Sequence, residues 1–346
     1  MPLGLLTIDC GAVVRNWRQL CALHPNGAVA SVVKANAYGL GAGPIGTALR
    51  DAGCRHFFVA TVEEGVALRK ALGEGAMIAV LSGFPPRRFP GLTPVLNSLA
   101  DIAAHEGQAI LHVDSGMSRL GLAVDELEVL AAEPERLARL DLRFIMTHLA
   151  AAEDATHPMN AAQIERFQEA CLRLPRARRS IANSSGIFLG GRFQSDLARP
   201  GAALYGLNPT PGRPNPMEPV VKLQARVLQT RDIPPGQTVG YGGGWLATRQ
   251  SRIATLGIGY ADGIPRAVEN KLQGHFRGQA LPLVGRVSMD LMTFDATECP
   301  ALRAGHMLDL IGADQDVDAL AGMAGTIGYE VLTSLQRRFR RDYLPA

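Results

Sequence analysis

The chain is organised around a stretch near its N-terminus, which reads Ser31-Val32-Val33-Lys34-Ala35-Asn36-Ala37-Tyr38-Gly39. It begins within a short apolar run, 28–33, whose β-branched residues indicate a buried strand, although a run this short is also compatible with a helix. The run ends in Lys34, and the glycines that follow predict a turn. A lysine in this place is either a surface residue, whose apolar stem lies on the protein while its charge reaches water, or an amine that is positioned for chemistry. The nearby tyrosine and glycines favour a loop that closes on a small ligand.

Apolar runs recur along the first 205 residues, and helical stretches lie between many of them. Strands that alternate with helices pair in parallel, and eight such units predict a closed (β/α)8 barrel. The predicted helices include Val62–Leu72, Ser98–His105, Val124–Leu140 and Asn160–Leu174, and the connections around 85–90 and 186–193 look irregular. The eight predicted strands are Ala28–Val33, Phe57–Ala60, Met77–Leu81, Pro94–Leu96, Ala109–Val113, Leu142–Met146, Arg179–Ala182 and Ala202–Tyr205.

The composition of the sequence changes from residue 209 onward, where five prolines fall within eleven positions. Proline clusters mark linkers and domain edges. We therefore predict an α/β barrel over residues 1–215, whose first strand, about 3–9, is able to join a second, mostly β domain over 216–346. The final stretch, Tyr329–Tyr343, looks helical. The predicted strands of the second domain are Val220–Gln229, Thr238–Tyr241, Ile253–Gly259, Leu281–Val287, Leu291–Phe294 and His306–Ile311.

Composition excludes several classes of protein. Hydrophobic residues make up 47% of the 346 residues and charged residues 19%, so the chain is neither disordered nor a polyelectrolyte. The net charge of +3 is too small to indicate nucleic-acid binding. The five cysteines are scattered without a CxxC pair, which suggests neither a zinc site nor a disulfide framework. No stretch has the pattern of a signal peptide or a membrane span, and a cytoplasmic location is expected.

Polar residues follow several of the predicted strands, where barrels of this kind build their sites. Each has an ordinary explanation when it is taken alone. A histidine such as His148 is more often a hydrogen-bonded core residue than a ligand, and an Asn-Ser pair most often caps a helix. Their convergence at one barrel mouth favours a site for a carbonyl cofactor that carries a phosphate, and a phosphate-binding isomerase would use similar donors. The residues concerned are Lys34, Tyr38, His112, Arg119, His148, Asn183, Ser184, Arg199, Gly201 and Ala202.

The segment Lys34-Ala35-Asn36-Ala37-Tyr38-Gly39-Leu40-Gly41 resembles the pyridoxal-phosphate signature of bacterial alanine racemases, with Leu40 where histidine is usual. The resemblance continues in order along nearly the whole chain. It implies that pyridoxal 5'-phosphate is held covalently by Lys34, that Arg119 contacts its phenolic oxygen, that His148 lies against its ring and that Arg199 contacts its pyridine nitrogen. The implied remaining contacts to the cofactor come from Tyr38, Asn183, Ser184, Gly201 and Ala202.

In the second domain the resemblance covers Val239-Gly240-Tyr241-Gly242, 259–263 and 285–290. It implies that Lys34 and Tyr241 are the two catalytic bases, Lys34 on the D face of the α-carbon and Tyr241 on the L face. It also implies that Arg119, Tyr260, Met289 and Asp290 contact the substrate. Without the family, Tyr241 and Tyr260 would be interpreted as turn tyrosines among glycines.

Besides Leu40, three positions depart from the family pattern in ways that matter for the site. His112 stands where many members have a lysine, so Arg119 needs another support. Ser288 stands where many members have cysteine, so inhibition through a thiol is not expected there. Arg337 aligns with a tyrosine that reaches the phosphate from the last helix in some members, and an arginine suits a phosphate equally well.

The resemblance therefore implies an isomerase, an alanine racemase, that supplies D-alanine for peptidoglycan or degrades it. It also implies a homodimer in which each site takes Tyr241 from the partner chain. An arginine at 199 keeps its proton, which weakens the cofactor as an electron sink and limits side reactions such as transamination. The alternatives are a broader amino-acid racemase, a D-amino-acid aldolase or a decarboxylase on the same barrel, and a noncatalytic protein that carries the cofactor.

Overall fold

A computed structural model describes residues 2–83 and 89–346. Its contacts divide the chain into two compact units, which are Val13–Glu218 and a second unit formed by the residues up to Ala12 together with Pro219–Ala346. The irregular connection predicted around 85–90 falls largely on residues 84–88, outside the described residues. Within the described ranges, no helix is both long enough and apolar enough to cross a membrane.

The unit Val13–Glu218 is built on a parallel sheet that closes on itself, which confirms the predicted barrel. Its first strand has two halves: Ala28–Val29 pairs with Leu197–Ala198, whereas Ser31–Val32 pairs with His56–Val59. Closure of the sheet leaves the polar backbone groups of these strands paired on both sides. The strands are Ala28–Val29, Ser31–Val32, His56–Val59, Met77–Val80, Thr93–Leu96, Gly107–His112, Leu140–Met146, Arg179–Ser180 and Leu197–Ala198.

Helices connect the barrel strands and pack their apolar faces against the sheet. Ile164 and Phe167 of one helix share a buried cluster with Leu111 and Ile145 of the strands. Asp9 caps the first helix of the chain by accepting a hydrogen bond from the Ala12 N–H at 2.8 Å. The helices up to residue 218 are Cys10–Leu23, Lys34–Tyr38, Ala42–Asp51, Val62–Leu72, Leu99–Ala104, Val124–Ala132, Pro158–Arg173 and Ser184–Leu189.

Two predictions in the barrel were wrong. Ala202–Tyr205 is a 3-10 helix, and the eighth strand is the two-residue segment Leu197–Ala198. All four residues of 202–205 are buried, and periodicity cannot separate a short buried strand from a short buried helix. The helix predicted over Val124–Leu140 ends at Ala132, because Pro134 cannot continue it and begins a 3-10 turn instead.

The second unit is mostly sheet, as predicted. Its long strand Val221–Ile233 pairs antiparallel with Gly4–Asp9, Ser251–Leu256 and Met307–Ile311. The remaining strands are Thr238–Val239, Trp245–Leu246, Gln273–Phe276, Gln279–Pro282, Met292–Asp295 and Arg340–Leu344, and the helices are Val317–Ala324 and Gly328–Ser334.

The predicted terminal helix over Tyr329–Tyr343 was largely wrong. A helix covers only Gly328–Ser334, and Arg340–Leu344 is a strand that pairs in parallel with Gly4–Asp9. The arginines at 337–341 do not share one helical face, and Phe339 between them is buried. Pairing with Gly4–Asp9, at the other end of the chain, decides this conformation, and no pattern within the segment itself predicts it.

Candidate active site

Lys34 lies at the carboxyl end of the first barrel strand, where the backbone enters an unusual turn. The next four residues, Ala35, Asn36, Ala37 and Tyr38, all have φ between 52° and 56°, the left-handed region. Three of them are neither glycine nor asparagine, and each such residue costs about 1–2 kcal/mol there. The Gly39 N–H donates to the Ala35 carbonyl at 2.7 Å and helps to close the turn. Backbone strain of this kind concentrates at functional sites.

The surroundings of Lys34 favour its neutral amine. Burial and then the Arg119 guanidinium lower the pKa of Lys34, and the Glu64 carboxylate opposes them. A lower pKa raises the fraction of amine that is free to act as a nucleophile or base at neutral pH. Lys34 therefore has the electrostatic setting that the predicted chemistry requires.

Tyr38 and Ser184 meet the backbone at Gly201. A Cβ atom on Gly201 would lie 2.2 Å from the Tyr38 hydroxyl, so any larger residue there would force Tyr38 or the backbone to move. The Ser184 hydroxyl accepts hydrogen bonds from the N–H groups of Gly201 at 3.0 Å and Ala203 at 3.2 Å. The buried N–H of Ala202 has no hydrogen-bond partner in the part of the chain that the structure describes. This mixture of hydroxyl and backbone donors fits a phosphate group.

Asn183 has the ordinary role considered for an Asn-Ser pair. Its side-chain oxygen caps the helix Ser184–Leu189 by accepting a hydrogen bond from the Gly186 N–H at 2.8 Å. The amide nitrogen donates to the Leu149 carbonyl at 3.4 Å. Asn183 thereby fixes the position of Ser184, and a contact of its own with the cofactor stays a prediction.

Arg199 follows the last barrel strand and is 96% buried. It donates to the Ser180 hydroxyl and to the Thr147 carbonyl, both at 2.5 Å. Burial lowers the pKa of Arg199 to about 10, so the guanidinium keeps its charge at neutral pH. Burial and the charge of Arg199 together lower the pKa of His148 to about 3, so His148 is neutral. A charged arginine beside a neutral histidine suits a neutral pyridine nitrogen.

The loop that carries Arg119 is shaped by Asp114. One oxygen of this carboxylate accepts the N–H groups of Gly116, Met117 and Ser118 at 2.9, 2.9 and 3.1 Å. The Arg119 side chain is exposed, yet its charge depresses the pKa of both Lys34 and His148. The charge of Arg119 therefore acts on both of these residues at the barrel mouth.

His112 is bonded away from Arg119. Its Nδ1 lies 2.8 Å from the Asn97 side-chain oxygen, and burial followed by the charge of Arg199 lowers the pKa of His112 to about 4. Among the described residues, no hydrogen bond joins His112 to Arg119. The other support that the sequence comparison requires for Arg119 therefore does not come from a hydrogen bond to His112 in the described part of the chain.

In the second unit, Tyr241 opens a short 3-10 turn, Tyr241–Gly243, and is 71% exposed. The turn packs against a neighbouring loop, since a Cβ on Gly285 would lie 2.9 Å from the Val239 carbonyl. A cavity of about 480 Å³ opens beside it. Its lining includes Tyr241, Arg286, Ser288, Met289 and Asp290. Three of the predicted residues thus meet in this unit.

Tyr260 lies on the segment next to this cavity. The Tyr260 N–H donates to the Ser288 carbonyl at 3.0 Å, and the Ala261 N–H donates to the Met289 carbonyl at 2.9 Å. These backbone bonds hold Tyr260 against the loop that carries Met289 and Asp290. The prediction that these three residues serve one ligand stays a prediction.

Sequence reasoning missed Arg338, which lies within the stretch predicted as the terminal helix. Its guanidinium contacts the buried Asp262 at 3.3 Å and Asp290 at 2.8 Å. Asp262 in turn accepts the Gly259 N–H at 2.9 Å, so Arg338 joins the two predicted substrate segments. Arg337 lies exposed between the last helix and the last strand, and its predicted contact with a phosphate stays untested. No local pattern distinguishes Arg338 from its neighbouring arginines.

The chain matches two family models along almost its full length. The model described as "Alanine racemase, N-terminal domain" covers residues 8–209, and "Alanine racemase, C-terminal domain" covers 220–343. An alanine racemase of Acidiphilium cryptum is 54% identical over 97% of this chain and 97% of that protein. A catabolic alanine racemase of Mesorhizobium japonicum is 49% identical over 99% of this chain and 93% of that protein.

A solved structure agrees with these relatives. The crystal structure of alanine racemase from Bartonella henselae, with covalently bound pyridoxal phosphate, superposes with a TM-score of 0.94 at 42% identity. The superposition covers 99% of this chain and all of that one. With both domains matched and a lysine, an arginine pair and a serine set at the barrel mouth, the chain belongs to the alanine racemase family.

Proposed function

We propose that this protein interconverts L-alanine and D-alanine, with pyridoxal 5'-phosphate as its cofactor. The observation that carries this function is the setting of Lys34, a partly buried amine of lowered pKa beside Arg119 at the mouth of the family's barrel. The donor set around Gly201 fits the cofactor's phosphate, and Arg199 fits its ring nitrogen.

Each residue at the barrel mouth has one task in this function. When bound, the cofactor withdraws electrons from the α-carbon of an attached amino acid. Lys34 holds the cofactor, Arg119 its phenolic oxygen, and His148 and Asn183 border it. The phosphate is held by Tyr38, Ser184, Gly201 and Ala202. Arg199 retains its proton, because an arginine does not give it up under these conditions.

Two groups move the α-proton in this proposal. The Lys34 amine exchanges it on the D face, and the Tyr241 hydroxyl exchanges it on the L face. General acid–base groups of this kind contribute roughly 10²- to 10⁴-fold each. Arg119, Tyr260, Met289 and Asp290 bind the substrate. Arg286 lines the same cavity as Tyr241 and brings a positive charge to it.

We further propose that the active protein is a homodimer in the cytoplasm, in which Tyr241 of the partner subunit completes each site. The support is the surface around Tyr241, where Tyr241 is 71% and Met289 54% exposed beside the cavity. Large exposed apolar side chains that border a cavity are typical of interaction surfaces. The D-alanine would either supply peptidoglycan or be degraded, and both roles are compatible with the relatives, one of which is named catabolic.

Incubation with L-alanine tests the proposed function. Chiral chromatography should show D-alanine with no change of mass, because racemisation conserves mass whereas decarboxylation and aldol cleavage do not. Lys34→Ala should lose this activity and the bound cofactor. Lys222→Ala, which changes a lysine paired with Asp309 in the other unit, is the matched control and should keep both. A product of altered mass, or activity in Lys34→Ala, would reject the proposal.

A further inference from the structure

The carboxylate of Glu64 joins the ends of two neighbouring barrel strands. One oxygen accepts the Ala35 N–H at 2.7 Å, and the other accepts the Ala60 N–H at 2.8 Å. Ala35 follows Lys34, and Ala60 follows the strand His56–Val59, which pairs with Ser31–Val32. Hydrogen bonds to a charged acceptor are roughly twice as strong as neutral ones. Glu64 therefore fastens the Lys34 strand end to its neighbour.

This use of Glu64 departs from the usual role of its position. Glu64 is the third residue of the helix Val62–Leu72, and the Thr61 side chain caps that helix by accepting the Glu64 N–H. A glutamate in this position ordinarily reaches back to the N–H of the capping residue. Here both carboxylate oxygens are taken by Ala35 and Ala60 instead. The side chain thus serves the barrel mouth more than its own helix.

The Ala35 bond acts on the left-handed turn at its first residue. The peptide plane that contains the Ala35 N–H also contains the Lys34 carbonyl, so the bond sets the direction in which the chain leaves Lys34. At the other side of Ala35, its carbonyl accepts the Gly39 N–H at 2.7 Å. The turn also carries Tyr38, whose ring packs on Tyr205 with centroids 4.7 Å apart. One contact therefore helps to place Lys34 and Tyr38 together.

Charge gives Glu64 a second effect on Lys34. Burial and Arg119 lower the pKa of Lys34, and Glu64 is the group that raises it. Loss of this carboxylate would destabilise the protonated amine and lower the pKa of Lys34 further.

We propose that Glu64 is a positioning residue for Lys34, which fixes the strained turn 35–38 and keeps a balancing negative charge beside the amine. Nothing in this role requires Glu64 to touch the cofactor or substrate. The inference rests on the proposed function, since it concerns the residue that holds the cofactor.

Two measurements on the cofactor-free protein test this role, with Glu64→Gln compared with Glu63→Gln. Glu63 is exposed and lies in the same helical turn, so its variant makes the same charge change without the Ala35 bond. Hydrogen exchange over residues 34–39 should become about tenfold faster in Glu64→Gln. The pH midpoint of Lys34 acylation, followed by peptide mapping, should fall, so that Lys34 reacts about threefold faster at pH 7.

The direction in which the pH midpoint of Lys34 acylation shifts separates the proposed role of Glu64 from a merely structural one. Mere loosening of the turn would expose Lys34 to water and raise the midpoint, whereas loss of the balancing charge lowers it. Glu64→Asp keeps the charge with a shorter reach, so it should restore the midpoint and leave the exchange fast. Unchanged exchange, or a midpoint that stays or rises in Glu64→Gln, would overturn the proposal, as would equal effects in Glu63→Gln.

Cofactor uptake keeps this inference distinct from the proposed function. Wild-type protein should bind pyridoxal phosphate at Lys34, and its failure to do so would contradict the proposed function. The exchange and acylation measurements need no cofactor, so their outcome decides the role of Glu64 in either case.

Discussion

The two proposed bases lie in opposite kinds of surroundings. Lys34 is partly buried, borders charged groups, and precedes a left-handed turn of residues that do not favour that conformation. Tyr241 is 71% exposed, and the left-handed positions around it are the glycines 240, 242 and 243, which adopt them readily. The turn after Lys34 needs contacts with neighbouring residues to hold its conformation, whereas the glycines around Tyr241 adopt theirs without such contacts. The surroundings of Lys34 are therefore fixed by contacts within its own unit, whereas Tyr241 lies on an exposed surface of the other unit.

The largest effect is expected at the exposed side of this comparison. Tyr241→Phe should lower racemisation by roughly 10²- to 10⁴-fold, because the hydroxyl that exchanges the proton is gone. Cofactor affinity should be kept, and the free energy of unfolding should change by no more than about 0.5 kcal/mol, since the ring is exposed. In the variant, exchange of the α-hydrogen with solvent should survive better for D-alanine than for L-alanine. Equal survival of both exchanges would remove Tyr241 from the base role, and Tyr343→Phe is the matched control.

A smaller effect is expected on the Lys34 side of the comparison. Gly201→Ala places a methyl group 2.2 Å from the Tyr38 hydroxyl, so Tyr38 or the backbone must move. Affinity for pyridoxal phosphate should fall about tenfold or more, and the free energy of unfolding should fall by about 1–3 kcal/mol. Absorbance titration and urea unfolding measure the two quantities. Gly322→Ala should leave both intact or add slight stability, because this helical glycine has no described atom beyond its own stretch of helix within 4 Å of the new methyl.

The smallest expected effect concerns the neutral histidines beside Arg199. Their pKa values, about 4 for His112 and about 3 for His148, lie below the ordinary value near 6.5. Between these limits the unfolded chain binds more protons, so the free energy of unfolding should fall as pH falls from about 7 toward 4. The slope is roughly 1.4 kcal/mol per pH unit for each histidine.

Urea unfolding at several pH values measures this slope. His112→Asn should remove about one histidine's share of it, while His306→Asn, in the other unit, should not. A slope in His112→Asn equal to that of the wild-type protein would show that His112 is not held neutral by the fold.

Much of this molecule could be predicted from its sequence, because the barrel repeats a local pattern. Strand ends such as Lys34 and His148 follow apolar runs that any reader of the sequence can find. The two-residue strand Leu197–Ala198 escaped, because its apolar signal is too short and the run 202–205 is stronger. Recognition of the site's individual roles came from family resemblance, and spacing alone supported only a phosphate-binding mouth.

The features that escaped are those that distant contacts decide. Alanines at 35 and 37 carry no sign of a left-handed turn, since neighbours such as Glu64 impose it. The Thr61-x-x-Glu64 pattern predicts a helix cap, and only the folded barrel shows that the carboxylate reaches Ala35 instead. The pairing of Arg338 with Asp262 and Asp290 likewise depends on segments far apart in sequence.

Co-expression of two inactive variants tests the comparison most directly. One chain carries Lys34→Ala and the other Tyr241→Ala, with different tags, so that mixed dimers can be purified. If Tyr241 of the partner subunit completes each site, a mixed dimer has one site with both lesions and one with none. Half of the sites in purified mixed dimers should then be active, which is about a quarter of all sites in the randomly assembled mixture before purification. Racemase activity no higher than that of the single variants, in a preparation that contains both chains, would contradict the shared site.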